Sequence, residues 1–173
     1  MAGALSPDEH DVSIFDAMNQ DLTFDDVRAH IQEVRPDYVI TMDYLPVTGA
    51  IATATVPAAL KVLSIAKEID THTVTIIAGP HPTFMYEEIL EDPERSTDYV
   101  LRGEMEETLP ELLSAIEAGD VATVRGIAYV GDAGIVATPI RPHIKDLDSL
   151  RPAWELLDWD TYHYNIEPWG RMA

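Results

Sequence analysis

A chain of 173 residues, 46% of them hydrophobic, is long enough for one domain with a proper core and a short appendage. Its 31 acids against 11 bases, with lysine only at Lys61, Lys67 and Lys145, give a formal net charge of −20, which repels nucleic-acid phosphates and anionic lipid and demotes both as partners. No cysteine is present, which excludes thiolate metal sites, iron–sulfur clusters, disulfides and cysteine nucleophiles from this chain.

Acid excess with so little lysine suits high salt, where self-repulsion is screened within about 3 Å at 1 M. A halophilic source is therefore expected, and moving a refolded sample from low to molar salt should stabilise it. The sequence holds no apolar run of transmembrane length, and Met1-Ala2-Gly3-Ala4-Leu5 lacks a basic region, so a cytoplasmic location is expected.

Taken in order, the first ten residues read as the end of something, a short Ala/Leu piece followed by Ser6-Pro7-Asp8-Glu9. Val12-Ser13-Ile14-Phe15-Asp16 alternates apolar and polar residues and predicts a strand, with a turn at Asn19-Gln20-Asp21. Thr23 and Asp26 form a capping box with Asp in place of Glu or Gln. Behind it Phe24, Val27, Ile31 and Val34 recur at helical spacing until Pro36 stops the helix. Asp37 to Asp43 is the next predicted strand, and Tyr44 to Thr53 a loop rich in small residues. Pro57 opens an apolar helix that runs to Ile69.

That helix feeds Thr73 to Ala78, a β-branched run that reads as a strand buried on both faces, as in parallel sheets flanked by helices. Gly79-Pro80-His81-Pro82-Thr83-Phe84 follows, at the carboxyl edge where open α/β sheets bind ligands. Gly79 lets a backbone approach a ligand closely, and the two prolines stiffen the chain around His81. An ordinary strand-to-helix turn with a capping or exposed histidine remains the other reading. A helix of about two turns is expected from Thr83 to Leu90.

Tyr99-Val100-Leu101 predicts a short strand carrying Arg102-Gly103-Glu104 at its end. A helix from Glu107 to Ala118, closed by Gly119, follows. The βα alternation is that of a parallel, doubly wound sheet. Gly126 to Thr138 reads as an edge β-hairpin turning at Gly131-Asp132-Ala133-Gly134. The rest, holding Trp154, Trp159 and Trp169, has little regular period and reads as an aromatic strap.

Candidate chemistry is sparse. Asp70-Thr71-His72 invites comparison with the Asp-x-His-x-x-Gly element that supplies a lower-face imidazole to cobalt, but position 75 is Thr and the triplet precedes its strand, at the amino edge. The remaining histidines show no paired metal spacing, and Glu104, Glu106 and Glu107 suit either helix capping or ligand contact. No phosphate-loop lysine, nucleophile elbow or dinucleotide glycine pattern is present, so catalysis by this chain alone is not expected.

Four motifs in sequence, Ala78-Gly79-Pro80-His81-Pro82-Thr83-Phe84, Arg102-Gly103-Glu104-Met105-Glu106-Glu107-Thr108, Gly126-Ile127-Ala128-Tyr129 and Lys145-Asp146-Leu147-Asp148 with Pro152-Ala153-Trp154, resemble the N-terminal cobalamin-binding domain of cobalamin-dependent radical SAM enzymes, in particular the anaerobic magnesium-protoporphyrin IX monomethyl ester oxidative cyclase type. The resemblance, from about Asp11 to the end, implies an α/β, Rossmann-like fold of flavodoxin-like order: a parallel sheet with flanking helices, an edge hairpin and the aromatic strap. It implies cobalamin as cofactor, held at the strands' carboxyl ends without a protein imidazole on cobalt. By position, the cofactor-binding residues would be Thr41, Asp43, Tyr44, Leu45, Gly79, Pro80, His81, Thr83, Phe84, Arg102, Gly103, Glu104 and Thr108.

The family's next segment carries the three cysteines of a 4Fe-4S cluster, beyond Ala173, and its first central strand precedes Met1. The resemblance thus implies a fragment, with residues 1–140 as the cobalamin domain and 141–173 as a linker toward an absent radical SAM domain or subunit that would hold S-adenosylmethionine and the cluster. Weakened cobalamin binding and a frayed N-terminal third are expected of it. The alternative is a non-catalytic Rossmann-like interaction domain that docks a partner through its aromatic tail.

Overall fold

The computed structural model describes residues 1–43, 55–162, 164–166 and 170–172. Helix α1 (Phe24–Val34) begins at the expected capping box: the Thr23 hydroxyl accepts from the Asp26 N–H, and the Asp26 carboxylate accepts from the Thr23 N–H at 2.8 Å. Its carboxyl end turns left-handed at Arg35, one residue before Pro36. Strand β1 (Tyr38–Met42), helix α2 (Val56–Ile69), strand β2 (Val74–Ala78), two single-turn helices α3 (Pro80–Phe84) and α4 (Tyr86–Leu90), strand β3 (Tyr99–Leu101) and helix α5 (Thr108–Ala118) follow. Strands β4 (Ile127–Gly131) and β5 (Gly134–Ala137) form the expected hairpin.

The sheet runs β1-β2-β3-β4-β5; β1, β2 and β3 are parallel, and the hairpin joins antiparallel through β4. This is the α/β, Rossmann-like sheet with flanking helices that the alternation of elements predicts. Successive β2 side chains point to opposite faces, and each face has its own core. Ile76 and Ala78 join Leu101 and the α5 residues Leu109, Leu112 and Leu113. Ile77 joins Val100, Leu63 of α2 and Ile89 and Leu90 of α4. Ile76, Ile77, Ala78, Val100, Leu63, Leu101, Leu109 and Leu112 are all wholly enclosed.

Two expectations are corrected. Val12 to Asp16 is not a strand: it has no ladder partner among the described residues, and only Phe15 of this run packs against the small α1–α2 cluster. Without a strand on its far side, β1 is an edge strand among the described residues, and alternation alone cannot supply hydrogen-bonding neighbours. The helix expected from Thr83 to Leu90 is two short ones, beginning at Pro80 and separated by Met85.

After β5 the chain returns over the domain. Arg141 pairs with Glu107 and Glu111 and donates to the Thr108 hydroxyl. Farther on, Tyr162 donates to Asp16 at 2.8 Å and Asn19 donates to Thr161 at 2.8 Å, tying the strap to the N-terminal segment. A small antiparallel pair, β6 (Tyr164–Ile166) and β7 (Gly170–Met172), ends the described chain. The third tryptophan of the strap, Trp169, lies outside the described residues.

Candidate ligand site at the carboxyl edge of the sheet

The parallel strands deliver Met42 and Asp43, Gly79, and Arg102 to one edge, because strands of one direction end on one side of a sheet. His81 and Arg102 therefore follow neighbouring strand ends on the same rim. Gly79 has φ +126°, a conformation an L side chain rarely adopts, and the chain enters α3 there.

Thr83 links the two loops directly. Its hydroxyl donates to the Gly79 carbonyl at 2.8 Å and accepts from the Gly103 N–H at 3.0 Å. Arg102 lies with its guanidinium 4.4 Å from the centre of the Tyr86 ring and donates from Nη1 to the Thr138 carbonyl at 3.1 Å. Its side chain thus braces α4 and the end of the hairpin. Glu104 accepts the Ile144 N–H at 2.5 Å and sits 3.0 Å from His143 Nδ1, so it anchors the strap. These bonds, the Ile144 N–H first, hold the Glu104 carboxyl below its ordinary range. Thr108 is fully buried and donates to the Glu104 carbonyl.

Beneath the loops lies Asp43, with no exposed surface, whose Oδ2 accepts the His81 N–H at 2.7 Å. Above them Phe84 is 80% exposed, with Met85 beside it and Met42 at the end of β1 also open to solvent. Thr41 is half-buried one turn of the pleat below Asp43, and its hydroxyl has no partner among the described residues. Tyr44 and Leu45 lie outside the described residues.

Of the described candidates, Pro80, His81, Phe84 and Gly103 line the rim, Gly79 is buried at the turn into it and Thr41 is half-buried below it, whereas Asp43, Thr83, Arg102, Glu104 and Thr108 bond chiefly to other parts of the chain. Sequence reading did not single out Tyr86, Thr138 or Thr55, whose hydroxyl donates to the Asp43 carbonyl at 2.9 Å. Only Tyr86 carried a signal, an aromatic following the Pro-His-Pro loop. His72 is on the opposite edge, 95% exposed at its side chain and bonded to Asp70, in keeping with the failed Asp-x-His-x-x-Gly match. Among the described residues no group of His, Asp or Glu is placed to hold a metal ion, and no helix is long and apolar enough to cross a membrane.

A helix-flanked parallel sheet with converging loops and an exposed apolar rim at its carboxyl edge defines a Rossmann-like cofactor-binding domain. A family model described as the B12 binding domain matches residues 1–113, and the chain belongs to that family. It is 39% identical over 159 residues to an anaerobic magnesium-protoporphyrin IX monomethyl ester cyclase of Rubrivivax gelatinosus, covering 89% of this chain and 27% of the relative. It is 33% identical to an uncharacterised methyltransferase of Pyrococcus horikoshii, covering 94% of this chain and 34% of that protein. The chain therefore spans a quarter to a third of the length of these relatives.

Among solved structures, the radical S-adenosylmethionine methyltransferase TsrM of Kitasatospora setae, with cobalamin and a 4Fe-4S cluster bound, matches with a TM-score of 0.60 at 18% identity, covering 87% of this chain and 27% of that one. OxsB, a cobalamin-dependent S-adenosylmethionine radical enzyme with aqua-cobalamin bound, matches with a TM-score of 0.56 at 18% identity, over 70% of this chain and 16% of that one. Both share the fold, and cobalamin is the cofactor of the family to which this chain belongs.

Proposed function

We propose that the corrin of cobalamin rests on the loops after β1, β2 and β3, and that this chain is the cobalamin-holding part of a radical SAM enzyme acting in methyl transfer or tetrapyrrole cyclisation. The observation that carries this reading is the pairing of an 80% exposed Phe84 with a loop whose backbone is fixed by Thr83 and Gly79. An apolar side chain held out on a rigid rim suits a flat, largely apolar macrocycle with polar groups at its margin.

The residues present fit such a ligand. Phe84, Met42 and Met85 supply apolar surface, Pro80, His81 and Gly103 lie at the margin, and Gly79, itself buried, sets the turn into the loop. Thr41, half-buried near the end of β1, has a hydroxyl with no partner among the described residues. Arg102, Glu104, Thr83 and Thr108 hold these groups in place. Bound cobalamin supplies cobalt-centred group-transfer chemistry; this chain binds and orients it, and the radical SAM half acts from a further domain or subunit. Trp154 and Trp159, 58% and 55% exposed on the strap, offer aromatic surface for that half to dock.

The test mixes the protein with hydroxocobalamin, desalts it and reads retained corrin absorbance. Retention by the native chain, lost on Phe84→Asp with an unchanged melting temperature, is the expected result. No retention, or equal retention by Phe84→Asp, would overturn the assignment.

A further inference from the structure

Asp43, just past the end of β1, carries a carboxyl group with no solvent exposure, and burying a polar group costs free energy unless it is bonded. Its two oxygens are used differently. Oδ2 accepts the His81 N–H at 2.7 Å, across 38 residues of sequence. Oδ1 has no hydrogen-bond partner among the described residues and lies against Gly79: a Cβ built on that glycine would stand 1.7 Å from it. The Asp43 N–H completes the contact by donating to the Ala78 carbonyl at 3.3 Å, and Thr55 holds the Asp43 carbonyl.

We infer that Asp43 is a positioning residue for the cobalamin site: it does not touch the ligand but latches the Gly79–Phe84 loop from below, and Gly79 is required because any side chain there would displace the latch. This rests on the binding role proposed above and adds to it the residue that sets the rim's shape. Loop and latch are one unit. Thr83 transmits the loop position to Gly103, so an error at Asp43 propagates to the second loop. The role explains why a carboxyl is kept where strand burial alone favours an apolar residue. It also explains why the glycine is needed at a point where the chain is enclosed by protein.

The experiment compares Asp43→Ala, Asp43→Asn, Gly79→Ala and the Asp43→Ala/Gly79→Ala double variant with the native chain. Three quantities are read: affinity for hydroxocobalamin by absorbance titration, exchange of the His81 amide, and the melting temperature. Removing the acceptor of a buried donor should weaken binding about tenfold or more in Asp43→Ala and speed His81 exchange by a similar factor, while amides in β2 keep their rates. Asp43→Asn retains an acceptor oxygen and should stay within about threefold of native in both.

Gly79→Ala should be at least as damaging as Asp43→Ala, and the double variant should lose less than the sum, because removing the carboxyl makes room for the new methyl group. Additive losses, native binding by Asp43→Ala, or equal loss in Asp43→Asn would each overturn the latch. Should Asp43→Ala fail to fold, Asp43→Asn decides: native-like His81 protection supports the latch and its loss ends it. Should the native chain retain no corrin, the binding role fails by itself, and the His81 exchange rates and melting temperatures still test the latch.

Discussion

Strands β1 and β2 are five residues each, mostly apolar, and lie side by side in register with Ile40 opposite Ile76. Yet Ile76 is wholly enclosed while every residue of β1 keeps some exposure. The difference comes from position: β2 has a neighbour on each side and helices over both faces, whereas β1 ends the sheet among the described residues. Burial is thus a property of the place in the sheet, and composition only permits it. The consequence reaches the candidate site, since the loop after β2 is braced by Asp43 below it and by Thr83 and Gly103 beside it.

The sharpest test of this contrast removes the two register partners in turn. Ile76→Ala should destabilise by about 4 kcal/mol, within the range for a fully buried side chain that leaves a cavity, and Ile40→Ala by about 2 kcal/mol or less, both read by urea unfolding. Equal costs would mean that β1 is as enclosed as β2. Hydrogen exchange sharpens the comparison along the backbone: amides of β2 should exchange only on global unfolding, and those of residues 11–35 orders of magnitude faster. Equal protection would contradict the picture of an N-terminal third held mainly by α1 and the strap.

Within that third, Thr23→Ala should cost about 1 kcal/mol, since it removes the hydroxyl that caps α1; urea unfolding measures it, and no change would show that α1 stands on Val27 and Ile31 alone. The smallest effect is expected at the strap. Glu104 is held below its ordinary range by the Ile144 N–H and His143, so its contribution is present above the usual carboxylate value near 4.3 and is lost as pH falls through the lower folded value. Fluorescence of Trp154 and Trp159 should shift on acidification below about pH 4, and Glu104→Gln should flatten that response. At the alkaline end, burial and the Asp16 carboxylate push the Tyr162 phenol up to about 12. Its clasp on the N-terminal segment persists below the usual value near 10 and weakens as pH rises through the folded one, and Asp16→Asn should lower the phenol's midpoint in an ultraviolet titration.

Much of this was legible in the amino-acid order. The capping box at Thr23 and Asp26, the Gly119 stop and the hairpin at Gly131 to Gly134 each rest on interactions between residues a few positions apart, and the β-branched run before Gly79 shows in its composition. Such patterns survive without knowledge of the fold. The carboxyl-edge loops could likewise be marked as the candidate ligand site, since they follow from strand direction and the βα alternation.

What only the tertiary structure decided is which side of each loop its side chains serve. Val12 to Asp16 has the alternation of a strand and no strand beside it to bond. Arg102 and Glu104 look like rim residues, and their partners, Thr138 and Ile144, are 36 and 40 residues away. Asp43 enters the candidate set through the resemblance, and only the folded chain brings its carboxylate to the His81 N–H across 38 residues. Local order encodes the helices, turns and hairpin because their hydrogen bonds close within a few residues; the parallel ladder and the long-range bonds that brace the edge loops exist only once the strands are side by side.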